Sequence, residues 1–168
     1  LATFMVACDN GSLDLNEVIA FAEKEDSDRA KMRDSADRFE KLLKPIVDAA
    51  MKDGGYPWEY NRLLWGRAVR MEKGGWDSPH IHLSPMLVGV FYLQVQKGHG
   101  DLYLIPSSGN SGFTTHHDGM KGTRLYHKVE AKEGKLVLMP ADLVHFVLPN
   151  TLPLPRYSVA LNMEMNAL

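Results

Sequence analysis

The segment Pro79-His80-Ile81-His82 stands just before a run rich in strand-forming residues, Met86-Leu87-Val88-Gly89-Val90-Phe91-Tyr92-Leu93. In an extended backbone, residues i and i+2 point to the same face, so the imidazoles of His80 and His82 can converge on one ion. A third ligand has to come from elsewhere, and the best candidate is His145, which lies between two strand-like runs. Such a set leaves coordination positions open, as a catalytic metal requires. We therefore predict a metal site formed by these three histidines.

The composition is that of an ordinary globular domain. The 168 residues are 45% hydrophobic and 24% charged, and the formal net charge is -2. Lysine and arginine are scattered, so the sequence shows no basic footprint for a phosphate backbone, and we expect no nucleic-acid partner. A small molecule or a peptide is the expected substrate. A homodimer remains an open alternative.

The cysteine content and the hydropathy pattern favour the cytoplasm. A single cysteine, Cys8, cannot form an internal disulfide, which is typical of a reducing compartment. The longest apolar stretch, Met86 to Val95, is too short to cross a bilayer as a helix, and no signal-like segment is recognisable. We expect a cytoplasmic protein without membrane association. The chain begins at Leu1 rather than methionine, so we expect a few residues to precede it.

Helical periodicity is confined to the first third of the chain. A short strand is expected at 3–7. Helical periodicity then predicts one helix near 15–26 and a longer helix that reaches Met51 and is ended by Gly54-Gly55. From Tyr56 onward, seven or so short strands are separated by turn signals. We predict one domain over residues 1–168 of the α+β class, mainly β, in which 1–55 is mostly helical support outside a sandwich or barrel formed by 56–168.

A long polar segment interrupts the strands between Pro106 and Arg124. Loops of this length are uncommon in compact domains unless they are functional. The segment contains His116, His117 and Asp118, a His-x-carboxylate pattern that competes with the first site as a metal-binding motif. We favour a different role for these three residues, which is contact with substrate from a loop over the mouth of the barrel.

Five segments follow one another in an order typical of a known family. They are His80-x-His82, Gly89 to Leu93, Gly100 to Pro106, Gly134 to Pro140 followed by His145, and Arg156 to Asn162. Together they resemble the 2-oxoglutarate- and Fe(II)-dependent oxygenases of the H-x-H-P type, over about Trp65 to Met163. The resemblance implies a prolyl-hydroxylase-like double-stranded β-helix, or jelly roll, with the metal at one end. It also implies Fe(II) and 2-oxoglutarate as cofactors, and hydroxylation of a small molecule or peptidyl side chain with release of succinate and CO2.

The resemblance assigns the distal carboxylate of 2-oxoglutarate to Arg156 with Ser158, and Tyr92 looks like the tyrosine that reaches the same carboxylate. Arg156, Ser158 and Asn162 lie on one face of a predicted strand, so a guanidinium, a hydroxyl and an amide can point together. Arginine recognises a carboxylate through two parallel hydrogen bonds, which suits this task. No side-chain general base is required, so we expect no catalytic residue beyond the metal centre.

The metal ligand set has two alternatives. Most Fe(II)/2-oxoglutarate enzymes use two histidines and one carboxylate, whereas here the position of the carboxylate is His82. Either the iron has three histidine ligands, or His82 lies behind them. The remaining histidines His99 and His127 have no partner pattern and are expected at the surface.

Two other functions remain open from the sequence. A cupin-type metal-dependent dioxygenase or isomerase would share the barrel but would not use 2-oxoglutarate. Its second motif is matched loosely by Gly134, Pro140, His145 and Asn150. Arg156-x-Ser158 discriminates against it, because a cupin needs no carboxylate anchor there. The other alternative is a non-catalytic jelly roll that binds a metal or a sugar.

Overall fold

The computed structural model describes residues 5–8, 40–41, 44–83, 87–105, 116–117, 120–123 and 126–167. This part of the chain is mostly antiparallel β-sheet with one helix, α1, at 40–41 and 44–53. The predicted first helix, near 15–26, lies outside the described residues. The predicted stop of the second helix is confirmed: Gly55 N–H donates to Lys52 O (3.1 Å), and Tyr56 N–H donates to Met51 O (3.0 Å). Gly55 supplies the positive φ, +70°, that this helix ending requires.

Eleven strands are described. They are β1 Met5–Cys8, β2 Trp58–Met71, β3 Asp77–His80, β4 Leu87–Gln94, β5 Leu102–Ile105, β6 His116–His117, β7 Met120–Thr123, β8 His127–Val129, β9 Lys135–Pro140, β10 Val144–Val147 and β11 Arg156–Ala167. The large sheet has the order β1-β9-β4-β11-β2, the small sheet β3-β10-β5-β8, and β6 pairs with β7. All the pairings are antiparallel.

The large sheet is buried on both faces because alternate residues of its strands have different packing partners. On one face, Leu161 and Met163 of β11 pack in a cluster with Val47 and Met51 of α1. The cluster on the other face joins the two sheets and contains Val88, Tyr92, Val137 and Met139 with Leu102, Leu104, Val129 and Val147. The layers therefore run helix, large sheet, small sheet. This agrees with the predicted α+β, mainly β class with helical support outside the sheets.

Strand β11 lies inside the large sheet, between β4 and β2. Tyr157 and Val159 belong to the cluster on the helix side. Because side chains alternate along a strand, Arg156 and Ser158 project toward the small sheet, where both line a cavity. The strand is thus the support on which one side of the candidate site is built.

The loop that precedes β11 is held by the side chain of Asn150, which is buried. Its Nδ2 donates to Met71 O (3.0 Å) and Leu154 O (2.9 Å), and its Oδ1 accepts from Leu152 N (2.8 Å). All three side-chain hydrogen bonds are made to backbone groups, so Asn150 has a structural role. It ties the end of β2 to the loop and so sets where Arg156 begins the next strand.

Two features differ from the sequence-based expectations. The segment from 106 to 124 is not only loop, since β6 and β7 form a short hairpin within it. His99 is not at the surface: it is only 1% exposed, and its Nδ1 accepts a hydrogen bond from Gln96 N (2.9 Å). His127 is half-buried. In the part of the chain described here, no helix is long and apolar enough to span a membrane.

Replacing Gly100 by alanine should destabilise the protein more than replacing Gly55. Both glycines have positive φ, +87° and +70°, but only at Gly100 would the new Cβ collide with backbone, at Leu148 O. A Cβ at Gly55 meets nothing within 4 Å. We expect Gly55→Ala to lower the free energy of unfolding by about 1 kcal/mol and Gly100→Ala by about 3 kcal/mol or more, measured by urea denaturation. Equal losses would contradict the close approach at Gly100.

Candidate metal centre

The pairing of β3 with β10 brings two of the three predicted ligands together. His80 ends β3, and its Cα lies opposite that of His145 in the antiparallel ladder. His82 follows two residues after the strand, where its N–H donates to Ala141 O (2.8 Å). The first two histidines are therefore not on one strand as expected, because β3 ends at His80. Instead, the backbone hydrogen bond to Ala141 in the β9–β10 turn holds His82 beside His80 and His145.

The three imidazoles form a compact cluster. Ring centroids are 4.3 Å apart for His80 and His145, and 5.2 Å apart for each of the other two pairs. One nitrogen from each ring lies within 4.8 Å of the others, so the cluster could hold a metal ion. His80 Nδ1 lies 2.7 Å from Ser78 O, and His145 Nδ1 lies 2.8 Å from Leu143 O. A carbonyl only accepts, so Nδ1 carries the proton in both rings and Nε2 is left as a metal ligand.

Burial favours the neutral, metal-binding form of His82 and His145. Burial lowers the pKa of His145 to about 4, although its contact with the Leu143 carbonyl opposes the shift. Burial also lowers the pKa of His82, the nearby His80 adds to this, and a polar contact with Asn162 opposes it. Metals bind the neutral imidazole. At neutral pH, these two rings are therefore available as ligands without loss of a proton.

A cavity of about 130 Å³ joins the histidine cluster to Arg156 and Ser158. Most of its wall is apolar, and its apolar side chains include Val69, Val88, Val90, Leu102, Met139, Val147 and Ala160. The cavity thus has a metal-ligating end and a cationic end, separated by walls that offer few competing polar groups. Such a space suits a short molecule with a metal-binding group at one end and an anionic group at the other.

Arg156 is a buried cation that makes no ion pair with a carboxylate among the described residues. It is 2% exposed, and its Nη1 donates to Gly100 O (3.3 Å) and Nη2 to Ser158 Oγ (3.4 Å). Its Nε makes no hydrogen bond within the described chain. The adjacent acid, Asp101, is engaged elsewhere, with Lys128 Nζ at 2.7 Å and Ala131 N at 3.0 Å. Burial lowers the pKa of Arg156, but a guanidinium stays protonated.

Tyr92 supplies a second unpaired donor close to Arg156. Its side chain is fully buried, its hydroxyl has no described hydrogen-bond partner, and the Arg156 Cζ lies 5.5 Å from its ring centroid. Burial raises the pKa of Tyr92 to about 12, with Arg156 opposing the shift. The hydroxyl is therefore a neutral donor at physiological pH. An unpaired cation and an unpaired hydroxyl buried together are costly unless an anion binds them, so this end of the cavity fits a carboxylate.

The structure gives less information on the other predicted site residues, which are Asn162, His116, His117 and Asp118. Asn162 is 8% exposed, with Oδ1 unpaired and its side chain against His82 rather than Arg156. His116 and His117 form β6, and Asp118 lies outside the described residues. The hypothesis that these last three contact substrate stays a prediction.

Sequence reasoning missed Asp77, which lines the cavity together with the histidines. In a regular strand, Asp77 and His80 would face opposite sides, since they are three residues apart. The ladder is irregular here: Asp77 lies opposite Val147 and His80 opposite His145, so the four residues 77–80 of β3 face the three residues 145–147 of β10. A β-bulge of this kind re-aims a side chain. No periodic signal in the sequence predicts it, because the bulge is a property of the pairing.

Comparison with known proteins identifies both the fold and the family. Residues 64–162 match the family described as "Putative 2OG-Fe(II) oxygenase". No curated protein matches the chain. Among solved structures, a Pseudomonas putida prolyl-4-hydroxylase is 16% identical with a TM-score of 0.56, over 98% of this chain and 88% of that one.

Two further structures have similar folds. The non-heme alpha-ketoglutarate-dependent epimerase SnoN from nogalamycin biosynthesis is 20% identical with a TM-score of 0.64, over 96% of this chain and 78% of that one. HygX from Streptomyces hygroscopicus, with nickel, 2-oxoglutarate and hygromycin B bound, is 16% identical with a TM-score of 0.60, over 97% of this chain and 83% of that one. At these identities the structural likeness concerns the fold, whereas the family match covers more than half of the chain.

Single replacement of His80, His82 or His145 by alanine should lower Fe(II) affinity by more than about 100-fold, because an open site has no spare protein ligand. His127→Ala, which lies outside the cluster, and Asp118→Ala should retain the metal. The measurement is anaerobic equilibrium dialysis with metal analysis. If His82→Ala kept stoichiometric iron while Asp118→Ala lost it, the metal would belong to the 116–118 motif instead.

Proposed function

Because this chain belongs to the 2OG-Fe(II) oxygenase family, we propose that it hydroxylates a small molecule or a peptidyl side chain, with release of succinate and CO2. The protein is an Fe(II)/2-oxoglutarate-dependent oxygenase, and the proposal concerns its reaction and the residues that carry it. We also propose that its two packed sheets form a double-stranded β-helix with the metal at one end. The resemblance to structures of a prolyl-4-hydroxylase and of HygX supports this arrangement.

His80, His82 and His145 would hold the iron. The donor set fits a ferrous ion, since imidazole nitrogens are suitable ligands and three of them leave positions for other molecules. The separation of at most 4.8 Å between their ligand atoms supports direct ligation by all three over a site with His82 behind the ligands. When bound, Fe(II) and 2-oxoglutarate supply the oxidative chemistry, which the protein's own side chains cannot perform.

The burial of Arg156 without a carboxylate ion pair among the described residues is the observation that carries the assignment of the cosubstrate site. A buried charge without an opposite charge costs several kcal/mol, roughly, unless a ligand supplies one. The distal carboxylate of 2-oxoglutarate would bind the guanidinium, with Ser158 and Tyr92 as neighbouring hydroxyl donors. A cupin-type reaction requires no such anchor, so the buried arginine and the family membership both disfavour that alternative.

The chain's own contribution is binding, orientation and exclusion of water. The carbonyls of Ser78 and Leu143 fix the orientation of two imidazoles, which sets the direction of their metal-binding nitrogens. The wall between the histidine cluster and Arg156 is mostly apolar and offers few polar groups to a bound keto acid, so it would restrict the positions that the keto acid can take. These features support a placement in which the residues would orient a dicarboxylic keto acid with its keto end toward the metal.

Arg156→Met should weaken 2-oxoglutarate binding by about 10²–10³-fold, because removing one partner of a buried charge pair costs roughly 3–5 kcal/mol. Iron affinity should be nearly unchanged, since Arg156 lies at the other end of the cavity. Titration of 2-oxoglutarate into the anaerobic Fe(II) protein, followed by the visible charge-transfer band, measures the first affinity, and anaerobic equilibrium dialysis with metal analysis measures the second. Arg70→Met is the matched control, because Arg70 is exposed and pairs only with Glu72 among described residues. Unchanged affinity in Arg156→Met would refute the anchor.

Tyr92→Phe should separate ligand binding from stability. The Tyr92 hydroxyl is buried without a described partner, so its removal should leave the ligand-free protein as stable as before, or slightly more stable. Affinity for 2-oxoglutarate should fall by about 10-fold, as expected for loss of a hydrogen bond to a charged group. Thermal unfolding with and without the cosubstrate tests both statements. A variant that is destabilised without ligand but binds 2-oxoglutarate normally would show that the hydroxyl serves the fold.

A further inference from the structure

We propose that Asp77 is the specificity-determining residue of this site and that it selects a substrate carrying a positively charged ammonium or guanidinium group. The inference deepens the proposed function, on which it rests, by naming the chemical class of the substrate. It starts from the only carboxylate among the described residues that line the cavity.

The position of Asp77 is the first observation. It lines the same cavity as the three histidines, and the bulge between β3 and β10 directs it there. The histidine nitrogens form a metal-binding group that does not include Asp77. The residue is exposed, whereas Arg156 is buried. The carboxylate is thus at the accessible side of the cavity, where a substrate enters.

The second observation is that Asp77 makes no ion pair or side-chain hydrogen bond with the residues that the structure describes. Its charge nevertheless acts inside the site, since it opposes the lowering of the pKa of His145 and of Arg156 that burial causes. Arg156 is reserved for the cosubstrate carboxylate in the proposed function. Among the described residues of the cavity lining, Asp77 is then the charged group left for the substrate.

Loss of water from the Asp77 carboxylate on substrate binding makes the affinity of the site depend on the charge of the substrate. An exposed carboxylate is well hydrated, so it costs little in the substrate-free protein. A substrate that covers the cavity removes this water, and an ionised carboxylate left without a partner is then costly. A cationic substrate replaces the lost water with a charge-assisted hydrogen bond, whereas neutral and anionic analogues do not.

The test uses three probes of one shape and different charge: benzylamine, benzyl alcohol and benzoate. Their binding to the full chain loaded with Zn(II) and 2-oxoglutarate is measured by saturation-transfer NMR titration. The wild type should bind benzylamine about 10-fold or more tightly than the other two, and Asp77→Asn should abolish this preference. Asp53→Asn, at an exposed aspartate at the end of α1, is the control and should retain it.

The same samples distinguish failure of this inference from failure of the proposed function. Asp77→Asn should keep its metal affinity and its Fe(II)·2-oxoglutarate band within about 2-fold of the wild type. Loss of metal in Asp77→Asn would make Asp77 part of the metal site and overturn its role in substrate selection, while leaving the oxygenase assignment intact. A wild type without preference for the amine, whether all three probes bind alike or none binds, also overturns the inference. Absence of the band in the wild type would instead refute the cosubstrate site.

Discussion

Burial of the large sheet on both faces is the constraint on which the rest of the structure depends. A strand packed on two sides divides its side chains strictly by parity. In β11 the residues on one side, such as Leu161 and Met163, complete the core with α1. The residues on the other side therefore point into the space between the sheets, and these include Arg156 and Ser158. The site therefore contains a buried guanidinium because the opposite face of the same strand is needed for the hydrophobic core.

A buried guanidinium has to be held in place, and the backbone around β11 does this. Gly100 O accepts from Arg156 Nη1, and the positive φ of Gly100 allows its close approach to the chain at Leu148. The Asn150 side chain fastens the loop before β11 through three hydrogen bonds to backbone groups. These contacts fix the position of the cation, and its Nε has no hydrogen-bond partner among the described residues. In the proposed function, a bound anion would offset the energetic cost of that arrangement.

The small sheet contributes the metal-binding end through a single strand pairing. β3 pairs with β10 alone among the described strands, and this contact aligns His80 with His145. Pro79 lacks a backbone N–H, which suits an edge strand next to an irregular ladder. The bulge in the same pairing turns Asp77 into the cavity. Ligand geometry and the charge presented to a substrate therefore derive from one short, irregular edge.

Local sequence determined much of this protein: the end of α1 at Gly54-Gly55, the approximate places of most strands, and the common face of Arg156 and Ser158. Each follows from periodicity or turn chemistry within a few residues, which acts before any tertiary contact. Only the tertiary structure decided that His82 lies beyond β3, that His99 is buried, and that Asp77 enters the cavity. These depend on strand register and on packing between segments far apart in the chain, where a shift of one residue reverses which side a residue faces and leaves no trace in local sequence.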